Sequence, residues 1–118
     1  MRVVGTSASD LALAADILRS GGLVAIPTET VYGLAGNVWE PKTLARIFEA
    51  KNRPQFDPLI VHVANPDNAD EVADLSLPHA RQLAEALWPG PLTMVLPRKP
   101  RVPDLATSGL STVGVRCP

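Results

Sequence analysis

Thr28, Glu29, Thr30 and Tyr32 bring two hydroxyls, a carboxylate and a phenol together within five residues, just after the apolar stretch Leu23 to Ile26 that Pro27 terminates. In α/β sheets ligands gather beyond the carboxyl ends of strands, where such a segment would lie. Thr28 and Thr30 share a parity, so an extended backbone would turn both toward one pocket. A turn would instead use the same hydroxyls to satisfy its own backbone. Lys51 and Arg53 form a second group. Leu44, Ile47, Phe48 and Lys51 follow an i, i+3, i+4, i+7 pattern, so Lys51 closes an apolar helical stripe and is aimed toward the sheet unless its stem snorkels along the rim. Asn52 and Pro54 mark the end of that helix and leave Arg53 on the adjoining turn. A forked guanidinium beside a point-charge ammonium suits a polyphosphate. The same two cations also suit the negative end of a helix dipole, and both uses stay open.

His62 lies within the apolar run Leu59-Ile60-Val61-His62-Val63. A single strand histidine is either a hydrogen-bonded core residue or an acid–base group. His79 falls on a different element, so no pair of histidines has metal-ligand spacing and a built-in zinc site is not expected. Arg116 ends the apolar run Val113-Gly114-Val115-Arg116, and a buried cation requires an anionic partner. No carboxylate in the chain is evidently dedicated to it, which predicts a bound anion. Trp88-Pro89-Gly90-Pro91-Leu92-Thr93 reads as a rigid corner that delivers a hydroxyl at a strand start, and Thr107-Ser108-Gly109 supplies small polar groups ahead of the last strand. No serine elbow, Walker loop or GxGxxG is present, so the hydrolase, P-loop and dinucleotide mechanisms lack their parts.

The elements that must position these groups fit into 118 residues, a length for one domain. Apolar residues make up 46% and aromatic ones 4%, which predicts an aliphatic core. A net charge of -1 and a pI of about 6.1 give no general attraction to nucleic acid. The charge is uneven, however. Lys42, Arg46, Lys51 and Arg53 face only Glu49 within residues 42–53, Arg98, Lys99 and Arg101 form a second basic group, and Asp67, Asp70, Glu71 and Asp74 lie between them. Each group suits either a partner or a solvated face. Cys117 is the only cysteine, so an internal disulfide is impossible and the thiol is read as passive. No basic-then-apolar leader and no apolar run near the ~20 residues of a membrane span is visible, so the expected address is the cytoplasm, with no membrane partner.

Caps at Ser7 to Asp10, a stripe of Leu11, Ala14, Ala15 and Leu18, and Gly21-Gly22 predict a first helix with both ends marked. A strand over residues 23–26, a loop over 28–37 and a helix opened by Pro41 follow. A strand at 59–64, a short acidic helix at 67–74 and a helix opened by Pro78 with the stripe Ala80, Leu83, Ala84 and Leu87 come next. The pattern closes with a strand at 92–96, a basic proline-rich loop at 97–104 and a strand at 112–116. Alternating strands and helices predict an α/β sheet. The sequence stops two residues after the last strand. That strand is therefore expected either at an exposed edge, with two chains associating through it as a possible homodimer, or beside a further segment.

Five segments then carry a resemblance. Pro27 to Leu34 resembles the PTETVYGL segment of YrdC-type proteins, the L-threonylcarbamoyl-AMP synthases, and Lys51-Asn52-Arg53-Pro54 is similar to their KxRP. Pro58 to His62 matches PLxVH, Trp88 to Thr93 matches WPGPxT, and Val113 to Pro118 matches VxVRxP, all in the family's order. The resemblance implies a twisted mixed parallel and antiparallel sheet with flanking helices around a concave basic cavity. It implies a nucleotidyltransferase that joins L-threonine, bicarbonate or CO₂ and ATP into L-threonylcarbamoyladenylate for the t6A modification of tRNA. Carried over by position, Thr30 and His62 would contact threonine, and Lys51 and Arg53 would be the catalytic cations on the ATP phosphates. Asp57, Thr93, Ser108 and Arg116 would complete the nucleotide site, with an aspartate at Asp57 where the family usually has asparagine. Mg²⁺ would arrive with ATP, and a downstream threonylcarbamoyl-transfer complex would take the product. Family members continue past VxVRxP into a SANxSG-like segment, so residues 1–118 would be a single YrdC-like domain without that segment. The rival use of the same fold is a non-catalytic module binding tRNA or double-stranded RNA by shape. A carbamoyl-transfer domain of hydrogenase maturation is disfavoured, because its metal-binding cysteines are absent.

Overall fold

Short-range signals account for most of the elements in the computed structural model, which describes residues 1–118. Helix α1 (Ala8–Arg19) starts where the Ser7 hydroxyl accepts a hydrogen bond from the Asp10 N–H at 3.2 Å. It ends at Gly21, whose φ of 85° is a left-handed conformation that a glycine adopts without strain. The stripe expected on α1 is only partly covered: Ala14, Ala15 and Leu18 are half-buried and Leu11 is exposed. Pro41 opens α2 (Pro41–Ala50), which buries Thr43, Leu44, Ile47 and Phe48 as its periodicity requires. A 3₁₀ helix (Pro66–Glu71) takes the place of the expected acidic helix, with the Asn65 side chain accepting from the Asn68 N–H.

Helix α3 (Ala80–Leu87) departs from expectation in its packing. Only Ala80 and Ala84 are buried, while Leu83 and Leu87 remain 45% and 51% exposed, so the helix approaches the core through its small residues. Helix α4 (Asp104–Thr107) is one turn within a stretch that shows no helical period, and it buries Ala106 and Thr107.

Two sheets organise the strands. β1 (Val24–Ile26) pairs antiparallel with β2 (Gly33–Ala35), in the register Val24↔Ala35 and Ile26↔Gly33. The sequence predicts loop at residues 33–35. Three residues that include a glycine carry no alternation to read, and the pairing with β1 makes them a strand. β3 (Ile60–His62), β4 (Met94–Pro97) and β5 (Thr112–Arg116) form the second sheet in the order β3-β5-β4. β5 runs parallel to β3 and antiparallel to β4, so this sheet is mixed.

That order overturns the expectation of an exposed edge at the last strand. β5 is central, both of its edges are paired, and Val113 and Val115 are 2% and 0% exposed. It has no free edge to offer a second copy, so the reason for a homodimer through it disappears. Exposed apolar surface does occur near it, on the opposite face of the sheet, where Ile60 and Val95 flank Gly114 and are 46% and 68% exposed.

Pleating turns Val61, Val113, Val115, Met94 and Leu96 into the core, which also holds Trp88, Ala80 and Ala84. The Trp88 indole N–H donates to the Leu92 carbonyl at 2.8 Å, and the Gly90 N–H donates to the Cys117 carbonyl at 2.8 Å. The corner at 88–92 is thereby tied to the end of β5, and the Cys117 thiol is buried. On the other face the same alternation presents Arg116 beside its register partner His62.

Candidate functional site

His62 and Arg116 form part of the wall of a cavity of about 830 Å³. The wall also takes in the 28–38 stretch with β2, the end of α2 and the 57–59 turn. Its ionic lining is Lys51, Arg53 and Arg116 against the single carboxylate of Asp57.

Thr28 and Thr30 both line this cavity, and they divide the two uses between them. The Thr28 hydroxyl donates to the Val31 carbonyl at 2.6 Å and accepts from the Thr30 and Val31 N–H groups at 3.3 Å, so it closes the turn. The Thr30 hydroxyl meets only Thr28 Oγ1, at 3.2 Å, and keeps hydrogen-bonding capacity for a ligand.

Lys51 caps the C-terminus of α2 through its backbone N–H, which donates to the Ile47 carbonyl. Its side chain makes no hydrogen bond or ion pair within the chain and is exposed at the cavity wall. Arg53 is committed differently. Asn52, at a left-handed φ of 49°, turns the chain out of the helix. The Arg53 guanidinium then donates to the Asp57 carbonyl at 3.3 Å and the Pro58 carbonyl at 2.8 Å, and it pairs with the Asp57 carboxylate at 3.1 Å. One cation is free, and the other braces the loop that leads into β3.

Arg116 has an internal partner, contrary to the sequence reading that no carboxylate is dedicated to it. Its Nη1 donates to Glu29 Oε1 at 3.0 Å, and its Nε donates to Thr93 Oγ1 at 3.0 Å. Glu29 and Arg116 are 87 positions apart, beyond the reach of any local pattern. Burial pushes the His62 imidazole below its ordinary 6.5, and the Arg116 charge pushes it further, while Glu29 acts in the opposite direction. The ring stays accessible from the cavity, so His62 is a site-facing group rather than a core residue.

A depressed histidine pKa has a definite consequence for stability. The unfolded chain binds the proton more readily, so folding stability falls as pH drops below 6.5 and levels off once the folded-state value has been passed. An NMR titration is expected to place the His62 midpoint below 6.5, and His62→Gln should remove that part of the pH dependence. A midpoint above the ordinary value would mean that the Glu29 charge outweighs burial and Arg116.

The remaining expected site residues lie apart from the cavity wall. Thr93 reaches it only through Arg116. Ser108, at a left-handed φ of 53°, donates to the Gln55 carbonyl at 2.6 Å and lines a separate, open hollow with Gln55 and Asp104. Much of the basic charge is also engaged: Arg46 donates to the Gly21 carbonyl, Arg98 pairs with Asp104, and Arg101 stacks 4.0 Å from the centre of the Trp39 ring. No three His, Cys, Asp or Glu side chains are grouped so as to hold a metal ion. No helix is long and apolar enough to cross a membrane.

Comparison with known proteins agrees on one family. The family described as telomere recombination, named for Sua5, YciO and YrdC, matches residues 16–118. A threonylcarbamoyl-AMP synthase of Pyrococcus abyssi is 49% identical over 106 residues, which cover 90% of this chain and 31% of the relative. That of Bacillus subtilis is 40% identical over 116 residues, covering 98% of this chain and 34% of the relative. The chain thus spans about a third of the length of these two relatives. The crystal structure of P. abyssi Sua5 complexed with L-threonine superimposes with a TM-score of 0.90 at 47% identity, over 93% of this chain and 32% of that one. A solution structure from Methanobacterium thermoautotrophicum superimposes with a TM-score of 0.76 at 34% identity, over the whole of this chain and 56% of that one.

Proposed function

The chain belongs to the Sua5/YciO/YrdC family, and from that premise we propose that its cavity serves the synthesis of L-threonylcarbamoyladenylate from L-threonine, bicarbonate or CO₂ and ATP, for the t6A modification of tRNA. The observation that carries this reading is the convergence of Thr30, Lys51, His62 and Arg116 on one cavity, on a fold shared with a threonine-bound relative. Hydroxyl, neutral imidazole and guanidinium are suited to an amino acid. An unpaired ammonium is suited to phosphate.

The proposed chemistry needs no protein nucleophile. The threonine amine adds to CO₂ and loses a proton to give the carbamate. A carbamate oxygen attacks the α-phosphorus of ATP, forming the P–O bond of the adenylate as the bond to pyrophosphate breaks. Such transfers depend on positioning and on neutralising charge. Lys51 neutralises the phosphates, Arg53 holds the 53–58 loop in place, and His62 accepts a hydrogen bond from threonine in its neutral form. Mg²⁺ is expected to enter with ATP, since Asp57 is the only carboxylate in the lining and is already paired with Arg53. When bound it would supply further charge neutralisation on the phosphates. The product is a mixed anhydride, which a threonylcarbamoyl-transfer complex acting on tRNA would consume.

Pyrophosphate release from ATP is the direct test, and it should require threonine, bicarbonate and Mg²⁺ together. Equal turnover with serine, or without bicarbonate, would exclude this reading. RNA binding that falls steeply with salt, with no ATP turnover, would point to an RNA-binding module instead.

A further inference from the structure

The ion pair between Glu29 and Arg116 joins the turn between β1 and β2 to the central strand of the other sheet, across the cavity wall. Its two side chains are only 22% and 16% exposed. Arg116 uses Nη1 on Glu29 and Nε on Thr93, and its Nη2 has no hydrogen bond within the chain. A guanidinium is planar, so fixing Nε and Nη1 also fixes the direction of Nη2. We infer that Glu29 is a positioning residue: it holds the Arg116 guanidinium so that the unused Nη2 edge is kept for a substrate anion in the cavity, either a carboxylate or a phosphate oxygen.

Two effects of Glu29 on such an anion oppose one another. Its carboxylate repels a second anion, but that charge is already paired with Arg116. Without it, the long arginine side chain would regain rotamers that anion binding must then freeze out again. It would also leave a largely buried cation with a single neutral hydrogen-bond partner, Thr93. Orientation therefore outweighs repulsion, and removing Glu29 weakens anion binding. His62, the register partner of Arg116, senses the same carboxylate and reports on it independently of any ligand.

The inference rests on the proposed function for its ligands, and the experiment separates the two. Glu29→Gln and Glu29→Asp are made in the 118-residue chain, thermal unfolding checks that they fold, and calorimetry follows L-threonine and ATP separately. Glu29→Gln is expected to weaken one ligand by about tenfold and to leave the other nearly unchanged. A loss for threonine identifies a carboxylate on Arg116, and a loss for ATP identifies a phosphate. Glu29→Asp keeps the charge but shortens the reach, and should weaken the same ligand. Unchanged affinity for both overturns the inference. So does tighter binding of either, which would make Glu29 a competitor for Arg116 rather than its support. If the unsubstituted chain binds neither ligand, the proposed function fails, and Glu29 is judged by NMR alone. Faster exchange of the Arg116 Nε–H with a lower His62 midpoint in Glu29→Gln supports the positioning role, and no change in either signal overturns it.

Discussion

Lys51→Ala is expected to weaken ATP binding by about 1.5–3 kcal/mol, the range for a hydrogen bond to a charged group, while thermal stability stays nearly constant. The structure separates the two jobs a lysine at a helix end can have. Backbone capping of α2 by Lys51 survives the substitution, because the donor to the Ile47 carbonyl is the main-chain N–H. The ammonium itself has no partner in the chain, and its interaction with the helix dipole is worth only about 0.3–1 kcal/mol at an exposed site. The proposed interaction with phosphate would be the stronger of the two, so affinity should move and stability should not. Calorimetry with ATP and a thermal melt together decide the point. A lower melting temperature with unchanged affinity would assign Lys51 to the helix terminus. Arg53→Ala should behave differently from Lys51→Ala. It removes the donors to the Asp57 and Pro58 carbonyls together with the pair to Asp57, so the loop before β3 loosens and both observables fall.

Trp88→Ala should destabilise the fold by about 3–5 kcal/mol, the usual cost of deleting a buried aromatic side chain. The residue is 6% exposed, belongs to the core, and donates its indole N–H to the Leu92 carbonyl just ahead of β4. Deletion leaves a cavity and removes that carbonyl's partner. For a chain of this size the melting temperature should drop by roughly 10–25 °C. Trp88 lies outside the cavity wall, so affinity for ATP or threonine per folded molecule should be retained. Denaturant unfolding showing a loss below about 1 kcal/mol would mean that the site collapses around the deletion more completely than cores usually do.

Several elements needed nothing beyond neighbouring residues. Ser7 and Gly21 bound α1, Pro41 opens α2, and Val113 and Val115 alternate with Thr112, Gly114 and Arg116 along β5. Capping, the fixed φ of proline and side-chain periodicity act within a few positions, so they are written into short stretches of sequence. The chemistry-bearing segments were legible for the same reason: Thr28 to Tyr32, Lys51 with Arg53, and His62 each stand at the end of, or within, a locally defined element.

What lay outside the sequence concerns pairs of residues far apart along the chain. β2 is a strand only because β1 lies beside it, and β5 is central only because β3 and β4 reach it from either side. Leu83 and Leu87 stay exposed because the core meets α3 through Ala80 and Ala84. Arg116 has no carboxylate within reach of a local pattern because Glu29 is 87 positions away. Strand order and long-range ion pairs are decided by which surfaces meet when the chain closes on itself, and each such meeting can join residues of any separation. Local residue types therefore set which groups were available for chemistry. The tertiary fold decided that Lys51 stays free, Arg53 braces a loop and Glu29 takes hold of Arg116.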